Sequence, residues 1–211
     1  SPDGMRVYVA VRDSQRVAAD YIGLVDPLSG ATLSTSINLG TGAEPTAIAF
    51  TPDARTAYVA NRGAQTVSVI DTASNTVRDT LSGFRAPTGI AVTPDGAKVF
   101  VANSGDDTVG VIDVANGTTS AFAIVLPGVP VSGPTGIAIS PDGSQAYVTN
   151  RAANSVTEIG GSAPLTITLD GGGIGSVTSS PPGIQCGTEC QVRFAVGTRV
   201  ALSALPSIGS E

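Results

Sequence analysis

The chain has 211 residues, enough for one or two domains, with 41% hydrophobic and only 13% charged residues, 26 Gly and neither His nor Trp. A formal net charge of −6 leaves no basic footprint of the kind that binds nucleic acid. No run of about 18 apolar residues appears, so no stretch reads as a membrane-spanning helix.

One pattern then recurs along the chain. A turn motif starts at Ser1, Thr51, Thr93 and Ser140, in steps of 50, 42 and 47 residues. Seven residues after each start stands an aromatic, at Tyr8, Tyr58, Phe100 and Tyr147. An Asn follows at Asn61, Asn103 and Asn150, with Val11 in its place in the first copy. Asp71 and Asp113 close a further strand, and Asp26 does so five residues later in its copy, which implies a longer loop there. Constant spacing within strands and variable spacing in loops is what a repeated packing unit produces.

Each copy reads as four strands. The innermost, PTGIAV in the third copy, alternates small Gly89 and Ala91 with bulky Ile90 and Val92, which suits sheets converging on an axis. A TPDG turn follows, in which Pro pre-sets φ, Asp bonds back to the backbone and Gly takes positive φ; Ala54 replaces Gly in the second copy and implies slight strain. The second strand (VYVA, AYVAN, VFVAN, AYVTN) is aromatic and β-branched, as strands prefer. The third (YIGLVD, TVSVID, TVGVID, SVTEIG) comes after a polar loop, and a variable outer strand comes fourth. The first copy begins at its second strand, and the last has no evident outer strand before residue 160.

A period of roughly 40 to 50 residues made only of strands and turns predicts four-stranded propeller blades. WD40 repeats are disfavoured by the absence of Trp and His. AYVTN at residues 146–150, with AYVAN and VFVAN in the preceding copies, resembles the YVTN family of β-propellers over residues 1 to about 160. That resemblance implies a propeller, most often of seven blades, in secreted or surface proteins of bacteria and archaea, and it implies no reaction. The fold class expected is all-β: a partial propeller forming the C-terminal half of a larger seven-bladed ring, with a small closed four-bladed ring as the alternative. The chain opens inside a repeat and without an initiator Met, as expected of a processed or excised piece.

The propeller is expected to span residues 1–162, and a small all-β or β-grasp-like module, truncated at its end, residues 163–211. In the latter, strand-like alternation at 165–169, 191–196 and 199–204 is broken by Gly- and Pro-rich turns, with Gly197 and Thr198 reading as a hairpin turn. SVTSSPPGIQCGTEC and FAVGTRVALSALP resemble the divergent internalin-B-type repeat of bacterial surface proteins, which implies a spacer module. Cys186 and Cys190 are the only cysteines, and a disulfide within one tight loop is expected. A zinc site would need two more ligands, and there is no His to supply them. The bridge implies an oxidising compartment: secreted, cell-surface or periplasmic.

Chemistry is harder to place. Asp3, Asp53, Asp95 and Asp142 look like a carboxylate array, but each holds the same turn position and is read as a turn residue. The repeated Asn61, Asn103 and Asn150 are expected to be loop residues bonding the backbone. A catalytic or ligand-binding group should break the repeat, because one ligand sits at the axis. That rule selects Arg12, Glu44, Arg62, Arg85, Asp106, Asp107 and Arg151 as ligand-binding loop candidates, against the plainer reading of solvated loop charges. Asp106 and Asp107 are weak Ca²⁺ candidates without an EF-hand pattern, and no other cofactor is expected. Asn116 heads a sequon in a turn, a candidate glycosylation site.

Propeller lyases and lactonases use His and metal-binding acids that have no counterpart in this sequence. Two functions remain open. The first is a non-catalytic extracellular or cell-surface module for binding, adhesion or structural assembly. The second is half of a propeller enzyme of lyase, lactonase or dehydrogenase type, completed by blades absent from this chain. The expected partners are a protein, the remainder of the parent chain, or a further copy, reached through open blade faces.

Overall fold

The computed structural model describes residues 1–13, 18–115, 118–120, 133–160, 162–168, 175–180, 184–186, 189–195 and 201–206. Every regular element among them is a β-strand. The chain divides into two compact units, Ser1–Ile159 and Gly160–Glu211.

The first unit holds four antiparallel sheets, each built from consecutive strands. The first contains β1 (Val7–Val11), β2 (Ala19–Val25) and β3 (Thr32–Thr41). The second contains β4 (Pro45–Phe50), β5 (Thr56–Asn61), β6 (Thr66–Asp71) and β7 (Thr76–Leu81). The third contains β8 (Pro87–Val92), β9 (Lys98–Asn103), β10 (Thr108–Asp113) and β11 (Thr118–Ser120), and the fourth β12 (Pro134–Ile139), β13 (Gln145–Asn150) and β14 (Ser155–Gly160). These are propeller blades. Among the described residues the first has three strands, with no innermost one, and the fourth three, with no outermost one.

Successive blades pack through alternation along their strands. On β5, Tyr58 and Ala60 point toward the third blade and meet Val99 and Val101, while Ala57 and Val59 point back toward Ile22 and Leu24 of the first. Phe100 likewise packs on Ala146 and Val148 of the fourth blade. Tyr8 reaches the second blade and lies edge-on to Phe50 with ring centroids 4.9 Å apart. The repeated aromatic is thus an inter-blade knob, seated on two small or β-branched residues of the next blade. The first and fourth blades leave their outward faces exposed, so the four sheets form an open arc and not the closed four-bladed ring.

The inner strands β4, β8 and β12 run side by side along the inside of this arc. Gly89 sits where a Cβ would lie 2.6 Å from the Thr135 carbonyl oxygen, which explains the small residues on this strand. Each inner strand starts with a β-bulge, between Pro45 and Ala47, Pro87 and Gly89, and Pro134 and Gly136. The bulge frees the intervening Thr to face the next blade. Thr46 Oγ1 donates to the Pro87 carbonyl at 3.1 Å, and Thr88 Oγ1 to that of Pro134 at 2.9 Å.

The turn motif behaves as its residues dictate. Thr51, Thr93 and Ser140 donate their hydroxyls to Asp53, Asp95 and Asp142 at 2.6, 2.5 and 2.6 Å. The fourth turn residue takes positive φ in every copy, at Gly4, Ala54, Gly96 and Gly143, and Ala54 does so at 58° without glycine's freedom. The repeated Asn residues depart from expectation. They end the second strand and bond side chains of the third: Asn61 Nδ2 donates to Ser68 Oγ at 2.8 Å and Asn150 Nδ2 to Thr157 Oγ1 at 2.7 Å. Burial explains the difference, because the amide meets hydroxyls across the strand pair before it can reach loop backbone.

In the second unit, β15 (Ser162–Thr168) lies beside a strand later in the chain, and β16 (Gly175–Ser180) pairs with β17 (Gln185–Cys186). β18 (Glu189–Ala195) completes the pair with β15, and β19 (Ala201–Pro206) extends the sheet of β16. β18 and β19 therefore lie in different sheets and are not the partners that a hairpin at Gly197 and Thr198 would make them. Those two residues lie outside the described ones. Cys186 stands opposite Val177 and Cys190 opposite Ile167; the side chains of both cysteines, and Asn116 as a whole, lie outside the described residues.

Candidate functional site

The site that the repeat builds lies where the inner strands begin. The residue before each repeat proline is left-handed, with φ of 49° at Glu44, 45° at Ala86 and 58° at Gly133. This turns its carbonyl toward the loop after the second strand of the same blade. Glu44 O accepts the N–H of Arg62 at 3.0 Å, Ala86 O that of Ser104 at 3.2 Å, and Gly133 O that of Arg151 at 3.0 Å. One repeat position, directly after the second strand of each blade, therefore carries Arg12, Arg62, Ser104 and Arg151.

An open groove of about 520 Å³ lies there. Its floor is the three bulged threonines, Thr46, Thr88 and Thr135, and its walls include Arg62, Ser104 and Arg151. Among the described residues neither Arg62 nor Arg151 forms an ion pair. Of the sequence candidates, these two are brought together.

The others are placed elsewhere or bound to the fold. Arg12 pairs with Glu44 at 3.6 Å, and the Glu44 carboxylate is largely buried while the guanidinium is half exposed. Asp107 Oδ1 accepts the Gly133 N–H at 2.7 Å, tying the third blade to the start of the fourth. Asp106 Oδ1 accepts the Thr108 hydroxyl at 2.7 Å. Arg85 is exposed and is not among the residues lining the groove, and its carbonyl accepts the Gly105 N–H at 3.0 Å. Among the described residues no three His, Cys, Asp or Glu gather as metal ligands.

Sequence reasoning missed Asp20. It is 1% exposed, and its two oxygens accept the N–H groups of Asp13 and Glu44, each at 2.7 Å. Asp20 thus clamps the second blade to the first as Asp107 clamps the fourth to the third. The signal was available, since Asp20 directly precedes YIGLVD as Asp107 directly precedes TVGVID. The long first loop hides it by shifting Asp20 five residues out of register.

The turn aspartates lie apart from this groove. Asp53 and Asp95 line a smaller cleft of about 270 Å³ with Pro52 and Gly96. A hydroxyl hydrogen bond, then a backbone N–H, holds Asp3, Asp53, Asp95 and Asp142 below the ordinary carboxylate range, Asp142 at about 2. Their low pKa is a property of the turn.

The family of lactonases described as 7-bladed beta-propellers matches residues 2–124, more than half of the chain. The chain belongs to that lactonase family. No curated protein matches it at a significant level. Among solved structures, this lactonase-family chain is similar to a chain of Kuenenia stuttgartiensis hydrazine synthase at 21% identity and a TM-score of 0.57, over 98% of its own length and 64% of the other's. It is also similar to U3-55K, at 18% identity and a TM-score of 0.54, over 74% of its own length and 49% of the other's. The chain thus spans less than two thirds of either, and such distant likeness establishes the shared β-propeller fold alone.

Proposed function

We propose that this lactonase-family propeller is a non-catalytic binding module, outside the cell or at its surface, whose groove receives acidic side chains of a protein partner. The observation that carries this reading is the groove lining: two guanidiniums and several hydroxyls, with no carboxylate, thiol or imidazole among the described residues that line it. General acid–base catalysis needs a group that exchanges a proton near the working pH, and neither Arg nor Thr does so. The carboxylates of Glu44 and Asp107 are engaged with Arg12 and with the Gly133 N–H. A guanidinium fork suits a carboxylate, and two forks beside hydroxyl groups suit an acidic segment. Because the chain carries a net charge of −6, attraction to such a segment has to be local to the groove. The extracellular setting rests on the resemblance of the AYVTN strand and of the Cys186 and Cys190 segment to bacterial surface repeats. Fluorescence anisotropy with a labelled glutamate-rich peptide tests the reading. Binding should weaken with added salt and in Arg62→Ala and Arg151→Ala; absence of binding, or indifference to both substitutions, overturns it.

A second reading is supported by the family match over residues 2–124. Here the chain is part of a lactonase-type enzyme: Arg62, Arg151 and the threonines hold the lactone, and a base comes from blades beyond this chain. Saturable binding of a simple lactone by the purified chain, lost in Arg62→Ala, would favour this reading over the binding module.

A further inference from the structure

The repeat contains its own example of a carboxylate held against one of these arginines. Arg12 directly follows the second strand of the first blade, and Glu44 directly precedes the inner strand of the next. Their side chains pair at 3.6 Å, with that of Glu44 only 10% exposed. One blade on, Arg62 and Ala86 hold the same two positions. The backbone is alike at both, with φ of 49° at Glu44 and 45° at Ala86, and their carbonyls accept the N–H groups of Arg62 and Ser104. What differs is the side chain. A methyl group stands at Ala86 where Glu44 carries a carboxylate, and among the described residues Arg62 forms no ion pair. Room for a carboxylate arm persists there. A Cβ added at Gly63 would lie 2.8 Å from Glu44 Cγ, so the Glu44 arm passes directly over a glycine. Gly105 is the equivalent of Gly63, and a Cβ added there would lie 3.2 Å from the Ala86 Cβ, so a longer arm would have the same bare glycine to pass over. At the fourth blade Gly133 precedes the proline, Ala152 stands at the loop position, and the preceding blade offers Ser104 in place of an arginine. Of the three blade junctions, one is filled, one lacks its cation, and that of Arg62 and Ala86 is open.

We infer that Ala86 is the specificity-determining position of the groove: a side-chain carboxylate of the acidic partner enters over Ala86 and Gly105 and pairs with Arg62, as Glu44 pairs with Arg12. This rests on the reading of the groove as a site for an acidic segment, and it gives one carboxylate of that segment a place. Thr88 and Ser104 line the groove beside Arg62. Their hydroxyls already donate to backbone carbonyls, Thr88 to Pro134 at 2.9 Å and Ser104 to Ala86 at 2.8 Å. A hydroxyl has one proton to give, so these two offer a ligand only their lone pairs. A carboxylate is therefore drawn to the guanidinium, and the hydroxyl oxygens are left for N–H groups of the segment's backbone.

Fluorescence anisotropy with the labelled glutamate-rich peptide, on the 211-residue chain, tests the assignment. Ala86→Glu should supply the carboxylate from within and weaken binding by about tenfold or more, as Arg62→Ala does, because each change removes the same charge-assisted contact. Ala86→Gln, of equal size but neutral, should weaken it much less. The melting temperature of Ala86→Glu should be no lower than that of wild type, because the backbone and the glycine beside it already suit a Glu. Undiminished binding to Ala86→Glu, equal losses with Glu and Gln, or a marked fall in the melting temperature of Ala86→Glu would overturn the inference and leave the acidic-segment reading standing. Absence of peptide binding to the wild type would overturn both.

Discussion

Gly89→Ala probes how closely the inner strands approach. The added Cβ would lie 2.6 Å from the Thr135 carbonyl oxygen and 3.0 Å from Gly136 Cα, both backbone atoms that no rotamer change can move. Ordinary contact begins near 3.4 Å, so the third and fourth blades would have to part locally by about 0.8 Å. Overpacking of this kind costs roughly 1–3 kcal/mol, and the gain of about 0.5–1 kcal/mol from replacing glycine in a strand offsets part of it. For a unit of this size each kcal/mol moves the melting temperature by about 2–4 °C, so a fall of a few degrees is expected. Gly136→Ala is the matched control. A Cβ there would meet only the Thr149 hydroxyl oxygen at 3.1 Å, a side-chain atom that accepts the Gly136 N–H and need give by only a few tenths of an ångström, so the melting temperature should fall less than in Gly89→Ala. Ala47, at the same place on the second blade, shows that a methyl is tolerated where blade spacing allows it. Thermal unfolding followed by circular dichroism measures all three proteins. Equal melting temperatures for wild type and Gly89→Ala, or equal falls in the two variants, would refute the close-approach argument.

Thr88→Val keeps the shape of the bulged residue but leaves the Pro134 carbonyl without its donor, and should cost about 1–2 kcal/mol in denaturant unfolding, whereas Thr135→Val should cost less. Asp20→Asn places an amide where two N–H groups already donate, and a loss of about 2 kcal/mol is expected in the same assay. Carbon-detected titration of Asp142 should give a midpoint near pH 2 in place of the ordinary 3.8, and Ser140→Ala should raise it, since the Ser140 hydroxyl is the main cause of the shift. The folded state favours the ionised form, so the stability from this turn is present above about pH 4 and is lost as the pH falls toward 2.

The propeller was legible because its packing rule is written into the spacing. An aromatic seven residues after each turn, on a strand of period two, can only point to one side of its sheet. When four such strands share a register, each aromatic meets the same face of the next blade. The turn aspartates were legible for a similar reason, since Thr or Ser, Pro, Asp and Gly each have a fixed local role. The Asn side chains bond hydroxyls on the third strand, five residues on at Thr66, Thr108 and Ser155 and seven residues on at Ser68 and Thr157. The hydroxyl at the fifth position recurs in all three of these copies and was the signal that a loop-backbone reading passes over. At the groove, unlike charge alone did not separate ligand contacts from clamps. Arg62 and Arg151 line it, while Asp107 and Glu44 spend their carboxylates on the Gly133 N–H and on Arg12. Only the left-handed residue before each proline distinguishes these roles, and φ at Glu44 or Ala86 has no glycine to announce it. In the second unit, alternation marks β18 and β19 as strands but says nothing about which sheet each joins.

Blade-to-blade contact through one knob and one seat also makes the first unit a chain of nearest neighbours. Removing an internal blade breaks two interfaces, whereas peeling off an end blade breaks one, so opening free energies should grade along the arc. Amide protons of β5, β6, β9 and β10 should exchange only through global unfolding. Those of β1 and β14 should escape through partial opening that leaves the central blades intact. The groove spans the second, third and fourth blades, with Arg62 on a central blade and Arg151 on an end one. A ligand gripping both guanidiniums would therefore slow exchange in the fourth blade far more than in the second, acting as a staple on the end that frays.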